Sequence, residues 1–423
     1  MKGQNFQNPK STFASSLFSR RLILIPLIMV LIVVAMYLPV FFADQDPRFE
    51  MFGVIQNEIT EEEAIEEPIA PEDQELIYDE ELSVFALNEI INDQLIIDVH
   101  EHIESLEQAQ IYLAVMDKLG IRKMCLMGSS KFTLTLNEED GFTEVDENNE
   151  ELIKIIETYP DRFEAWPTVD PLDPDKLAKF ESLVALGATG LKLYIGHGYV
   201  TGENEYMFHT LAMDDPGMLP LYEFCEENFI PVCIHVNPYG GKKGFAEEFI
   251  AVLQQFPDMK VIAPHFILSS IASDRLREFL DTFPNLYSDI SFGDYYVTPG
   301  LERISRDPGK FRELFADYND RFMYGTDLVL TEHPAKNEQW VYDQHQAYLD
   351  MLTRETYTAP FIEGNLNGLA LPPEQLENLL YKNFVRLKES KPVNTRITRE
   401  IDWSRMNQEP IGRKPGETFP PEP

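Results

Sequence analysis

The sequence predicts an α/β fold in which eight β/α units close into a (β/α)8 barrel, and three observations lead there. Between Phe85 and Leu387, short apolar runs alternate with longer amphipathic ones, the pattern of a parallel sheet covered by helices. The short runs number eight, as closure of such a barrel requires. Histidine, lysine and aspartate fall at the ends of these runs, where a barrel gathers side chains at one mouth. The alternative, an open doubly wound sheet, carries a Gly-rich turn after its first strand, and here a histidine pair stands in that place.

In chain order, the strands are expected at Leu95–His100, Lys123–Gly128, Phe163–Val169, Gly190–Ile195, Pro231–Val236, Val261–Phe266, Leu286–Ser291 and Phe322–Asp327. The first helix, Ser105–Leu119, spaces Leu106, Ala109, Leu113, Met116 and Leu119 by three and four, which puts them on one face. Helices follow at Glu147–Thr158, Pro174–Leu186, Leu219–Asn228, Phe245–Phe256, Ser273–Phe283 and Leu301–Phe315, and a last one, Pro373–Leu387, closes the domain.

The flanks are of another kind. Leu22 to Phe42 is an uninterrupted apolar run, long enough for a transmembrane helix. Lys2, Lys10, Arg20 and Arg21 precede it, and Asp44 and Asp46 follow. The positive-inside rule then keeps residues 1–21 in the cytoplasm and puts the remainder outside, in the periplasm or on the cell surface. The run is longer than a cleaved signal core and lacks a small-x-small ending, so an uncleaved signal-anchor is the reading. Residues 43–84 form an acidic linker, with about fifteen acids against one Arg, and self-repulsion keeps such a block extended. The barrel spans 85–390, and 391–423 is a polar tail that wraps the surface or hangs free.

A net charge of −37 excludes nucleic acid as a partner, since phosphate binding needs clustered Lys and Arg. The partners expected are a small-molecule substrate and the membrane; a homo-oligomer is left open. Cys125, Cys225 and Cys233 read as small buried hydrophobes rather than a disulfide framework.

The chemistry sits in one constellation. His100 and His102 end the first strand, Lys192 lies in the fourth, and His235, His265 and Asp327 end the fifth, sixth and eighth. A His-x-His pair on an extended segment turns both imidazoles to one side. Neutral imidazole suits zinc and other first-row ions, and an aspartate beside the ion can take a proton from water. Burying these groups unpaired costs kilocalories each, so their joint placement points to a metal. Tyr194 and His197 follow Lys192 and face the same mouth as substrate contacts; Asn237, Tyr239 and Asp289 lie nearby. Asp98 reads as orienting the strand or a ligand, and His209, His333 and His345 as structural.

Asp98-x-His100-x-His102, with His235, His265, Tyr324-Gly-Thr-Asp327 and the closing segment Asn378–Leu387, resembles the amidohydrolase superfamily from about Leu95 to Leu387. The similarity is greatest to its amidohydrolase-related branch, which includes aminocarboxymuconate-semialdehyde decarboxylase and the pyrone dicarboxylate lactonases. The resemblance implies a TIM barrel and one or two divalent ions, zinc first. It implies His100, His102, His235 and Asp327 as metal ligands, His265 and Asp327 as catalytic groups, and Lys192 as either a carboxylated bridging ligand or a charged group at the mouth. The expected activity is hydrolysis of an amide, cyclic amide or lactone, in which metal-activated water attacks a carbonyl and Asp327 carries the proton. Decarboxylation of a small carboxylic acid uses the same ligands. A membrane-tethered binding protein with a vestigial site is the third reading, against which the intact ligand set speaks.

Overall fold

In the computed structural model of the chain, residues 96–405 are described, except 138–139, 197, 202–203, 208–210, 237–244, 269–272, 295, 393–396 and 398. The tip 1–21, the apolar run 22–42, the acidic linker 43–84, His197, His209, Asn237, Tyr239 and residues 406–423 lie outside the described residues. The chain divides into Met1–Leu76 and Ile77–Pro423, and every described residue belongs to the second. Among the described residues no helix is long and apolar enough to cross a membrane.

Each of the eight expected runs contains a parallel strand, but the sixth and eighth are strands for two residues only, so His265 and Asp327 follow their strands in left-handed backbone rather than end them. The strands are β1 Ile96–Ile103, β2 Ile121–Met127, β3 Phe163–Trp166, β4 Leu191–Gly196, β5 Val232–Val236, β6 Val261–Ile262, β7 Leu286–Asp289 and β8 Phe322–Met323. β1, β2 and β3 pair in order, and so do β4 to β8. A parallel bridge between Thr168 and Lys192 joins the two sets. On the other side the Val99 N–H donates to the Tyr324 carbonyl at 2.9 Å, and the short strand Leu328–Leu330 pairs with β1. The ring is therefore closed, so none of its eight strands is left as a sheet edge.

Ile97, Val99, Cys125, Met127, Trp166, Cys233 and Met323 fill the barrel as one buried cluster, and Phe384 and Leu387 join it. The three cysteines are free and buried, consistent with their reading as core residues. Outside the barrel run α1 Ala109–Leu119, α2 Val145–Thr158, α3 Lys176–Ala185, α4 Leu219–Glu227, α5 Ala246–Gln255, α6 Ser273–Thr282, α7 Val297–Arg306, α8 Pro308–Asp317, α9 Glu338–Thr353 and α10 Asn383–Glu389. Before α1, Ser105 makes a capping box with Gln108, and at its end Gly120 takes the left-handed conformation, φ 70°, that stops a helix.

The expected single helix Leu301–Phe315 is two helices. Pro308 begins α8 and drives Asp307 to φ −145°, ψ 58°, because the ring clashes with a helical residue before it. The expected closing helix breaks into a helix Pro373–Glu377, a π turn Asn378–Lys382, and α10. Asn383 ties α10 to the barrel by donating to the carbonyls of Phe322, at 2.7 Å, and Asn319, at 3.0 Å. Helix α9 and the hairpins Gly198–Thr201 with Asn204–Met207 and Thr356–Ala359 with Ile362–Asn367 were not anticipated. The described part of the tail lies along α6, where Arg399 and Arg405 reach the buried Glu278 Oε2 at 2.6 and 2.5 Å.

Candidate metal centre

Strict alternation along β1 would turn Ile97, Val99 and Glu101 inward and His100 outward. The strand does not alternate strictly: its register against β2 shifts between Asp98 and Glu101. Such an irregularity re-aims the side chains beyond it. Ile97 and Val99 enter the barrel, Glu101 turns out to Tyr112 of α1, and His100 and His102 follow Val99 inward. The Asp98 carboxylate braces the turn by accepting the His100 N–H at 2.9 Å.

Each histidine is held by its far nitrogen. His100 Nδ1 lies 2.8 Å from Asp289 Oδ2, and an ionised carboxylate only accepts, so Nδ1 carries the hydrogen and Nε2 a lone pair. His102 Nδ1 lies 2.8 Å from Ser129 Oγ, whose own hydrogen goes to the Met127 carbonyl, so its Nε2 is also a lone pair. His265 Nδ1 lies 2.8 Å from Ser291 Oγ and 3.3 Å from the Ser291 carbonyl. Ser291 spends its hydrogen on Asp289 Oδ1 at 2.5 Å, which leaves His265 Nδ1 as the donor and Nε2 facing the site. Asp289 thus orients His100 directly and His265 through Ser291 and the His265 N–H.

These nitrogens converge on Asp327. Its Oδ1 is 3.1 Å from His100 Nε2 and 3.1 Å from His102 Nε2, and its Oδ2 is 3.6 Å from His265 Nε2. Burial lowers the His100 pKa to about 4, and it lowers that of His102 too, so both rings are neutral near pH 7. Burial alone raises the Asp327 carboxyl, but His100, the bond to His102 and His265 outweigh it and hold the acid well below the usual range. Asp289 is held low in the same way, chiefly by His100 against the opposing effect of burial.

Three acceptors therefore meet with too few protons to share. Lys192 Nζ, 3.1 Å from His100 Nε2, serves that nitrogen. His102 Nε2 and Asp327 Oδ1 still face each other as acceptor against acceptor, an arrangement that a cation relieves. Ligand atoms at about 2 Å from a tetrahedral zinc lie roughly 3.3 Å from one another, close to the separations here. The donor set of two imidazoles and a carboxylate fits a divalent ion.

The other expected residues take varied places. Lys192 is fully buried in the barrel, with Cys233 Sγ 3.6 Å and the Tyr194 ring 5.0 Å from its ammonium. His235 stands at the same mouth, its ring 5.0 Å from that of His265 and stacked at 6.4 Å on Tyr194. Among the described residues, however, no group of three ligand atoms within 4.8 Å of one another includes it. Tyr194 forms a wall beside His102 and His235, and its hydroxyl donates to the Gly128 carbonyl at 2.8 Å.

Sequence reasoning missed the supports. Asp289 was noted only as a neighbour, although an aspartate inside the apolar run Leu286–Ile290 was the signal for it. Nothing in the sequence marked Ser129 or Ser291. Behind β1, fully buried Asp98, Glu101 and His345 form a second cluster. His345 Nδ1 bonds the Tyr324 hydroxyl at 2.9 Å, and burial lowers its pKa to about 3. Burial pushes Asp98 up to about 8 and Glu101 upward with it, so the two carboxyls hold a proton between them.

Residues 97–387 match the family model described as Amidohydrolase. The chain belongs to the amidohydrolase family. Among solved structures this amidohydrolase is similar to a probable 2-pyrone-4,6-dicarboxylic acid hydrolase from Acinetobacter baumannii, with 15% identity, 70% of this chain and 99% of that one covered, and a TM-score of 0.44. It is similar at 17% identity to 2,6-dihydroxybenzoate decarboxylase from Rhizobium, over 70% and 99% of the two chains with a TM-score of 0.44. A 4-oxalomesaconate hydratase from Rhodopseudomonas palustris is 15% identical over 70% and 95%, with a TM-score of 0.43. No curated protein matches the chain.

Proposed function

We propose that this amidohydrolase is a metal-dependent hydrolase that opens an amide, cyclic amide or lactone with water. The observation that carries the reading is the meeting of His100 Nε2, His102 Nε2 and Asp327 Oδ1, each imidazole 3.1 Å from the carboxylate oxygen and each fixed from behind. A divalent ion held there, zinc first, supplies Lewis acidity toward a carbonyl oxygen and toward water. The chain's own groups supply the rest. Asp327, kept ionised, accepts the proton of water at Oδ2 and returns it to the leaving nitrogen or oxygen. His265 Nε2, 3.6 Å from that oxygen, presents a lone pair in the neutral ring; it holds an oxyanion only as imidazolium, and otherwise it accepts a proton or joins the ligands. His235 and Lys192 flank this group as further ligands or charges, and Tyr194 and His197 bound the substrate's place.

One observation favours a second reading, decarboxylation. The buried Lys192 ammonium has no carboxylate partner among the described residues, so it suits the carboxylate of a small acid. We further propose that residues 22–42 anchor the chain with the barrel outside the cytoplasm, supported by the charge asymmetry around that run.

The test is a substrate series on the full-length chain, before and after chelation and zinc reloading. Ring opening of lactones or cyclic amides that chelation abolishes and zinc restores is the expected result. Carbon dioxide release from aromatic acids would select the second reading, and turnover indifferent to chelation would overturn both.

A further inference from the structure

Four cations gather at the end of the barrel opposite the metal centre, in a chain with 72 acidic residues against 35 basic ones. Lys260 immediately precedes β6 and Arg321 immediately precedes β8, so both stand at the N-terminal ends of strands. Arg386 of α10 and Lys391 beyond it complete the wall of one cavity of about 290 Å³, to which Asp320 adds a single acid. Lys260 is 3% exposed and Arg321 9%, so half of this charge is buried.

The hydrogen-bond acceptors of these cations are neutral. Lys260 Nζ donates to the Leu387 carbonyl at 2.5 Å, and Arg321 Nη2 donates to the carbonyls of Leu280, at 2.9 Å, and Phe283, at 2.6 Å. Arg386 Nη1 donates to the Asn383 amide oxygen at 2.8 Å. Arg321 Nε is buried without a partner. Among the described residues, none of the four has a carboxylate within ion-pair distance. The carbonyls at the ends of α6 and α10 fix the cations in place through their dipoles, but they bring no net charge. Buried cations left in this state are costly unless an anion joins them.

We propose that this cavity is a binding site for a compact phosphate-type oxyanion, separate from the metal centre. At roughly 30 Å³ for each water, about 290 Å³ has room for such an anion with part of its hydration shell, and is too small for a folded partner. Arg386 and Lys391 at the exposed rim meet the anion, and Lys260 and Arg321 hold the positive potential behind them.

The test is calorimetric titration of the full-length chain, purified in detergent, with inorganic phosphate at fixed ionic strength. The expected result is saturable binding with a Kd below about 1 mM, weakened about tenfold or more in Arg386→Ala/Lys391→Ala. Both side chains are exposed, so that variant keeps its fold, which circular dichroism checks. His100→Ala/His102→Ala is expected to bind phosphate as the parent does, which separates this cavity from the metal centre. Absence of saturable binding, binding indifferent to the Arg386 and Lys391 substitutions, or binding lost with the histidine pair would each overturn the proposal.

Discussion

Asp327 sits at φ 58°, a left-handed backbone uncommon for a non-glycine residue, with its N–H donated to the His100 carbonyl at 2.7 Å. That bend carries the carboxylate across the barrel mouth onto both imidazoles. Asp327→Asn keeps the size and one ligand oxygen but removes the basicity. The variant should fold, keep part of its metal and lose about 10²–10⁴-fold in turnover, measured on whichever substrate the screen yields. Near-normal turnover would remove Asp327 as proton acceptor. A second residue-scale prediction concerns Asp98. Burial raises its folded pKa from the usual carboxylate range to about 8, so the stability linked to its proton is complete below that usual range and lost as pH rises to about 8. The melting temperature should therefore fall from the usual carboxylate range up to about pH 8 and level off above it, and Asp98→Asn should flatten that fall. An unchanged slope would show that Asp98 does not hold the proton. The chemical residues were legible because histidine, lysine and aspartate stand out in apolar runs. Ser129 and Ser291 were not, since a serine's role depends on which carbonyl and which imidazole the fold sets beside it.

At the scale of elements, period and spacing located all eight strands, because a buried parallel strand needs a short apolar run whatever it packs against. The irregularity in β1 was hidden. His-x-His satisfies simple alternation within itself, and only the inward Val99 beside the inward His100 betrays the parity change. The break before Pro308 was readable from the proline, which disfavours a helical residue before it. Helix α9 carries polar residues such as Gln344 and His345 on its buried side, which blurs its stripe. The turn after β7 gives an element-scale prediction. Gly293 has φ 73°, and a Cβ there would lie 2.8 Å from Asp327 Oδ2. Gly293→Ala should cost about 1 kcal/mol or more of stability in thermal or denaturant unfolding, and it should weaken metal binding by displacing that oxygen. Unaltered metal affinity would mean that Asp327 is not held from this side.

For the whole molecule, the barrel brings residues from β1, β4, β5, β7 and the segments after β6 and β8 to one mouth, although they lie more than two hundred positions apart. This convergence follows from strand order alone, which is why the site could be anticipated before any distance was known. The anchor and linker are a separate expectation with its own check. Protease added on the extracytoplasmic side should digest the barrel in intact cells, and a C-terminal reporter that works only in the cytoplasm would reverse the orientation. The central claim is that His100 Nε2, His102 Nε2 and Asp327 Oδ1 form a cation site. Elemental analysis of the purified full-length chain, beside His100→Ala/His102→Ala shown to be folded by circular dichroism, tests it most directly. The account predicts a stoichiometric divalent ion in the parent and its loss, together with activity, in the variant. A folded variant that retains its full metal content would contradict it.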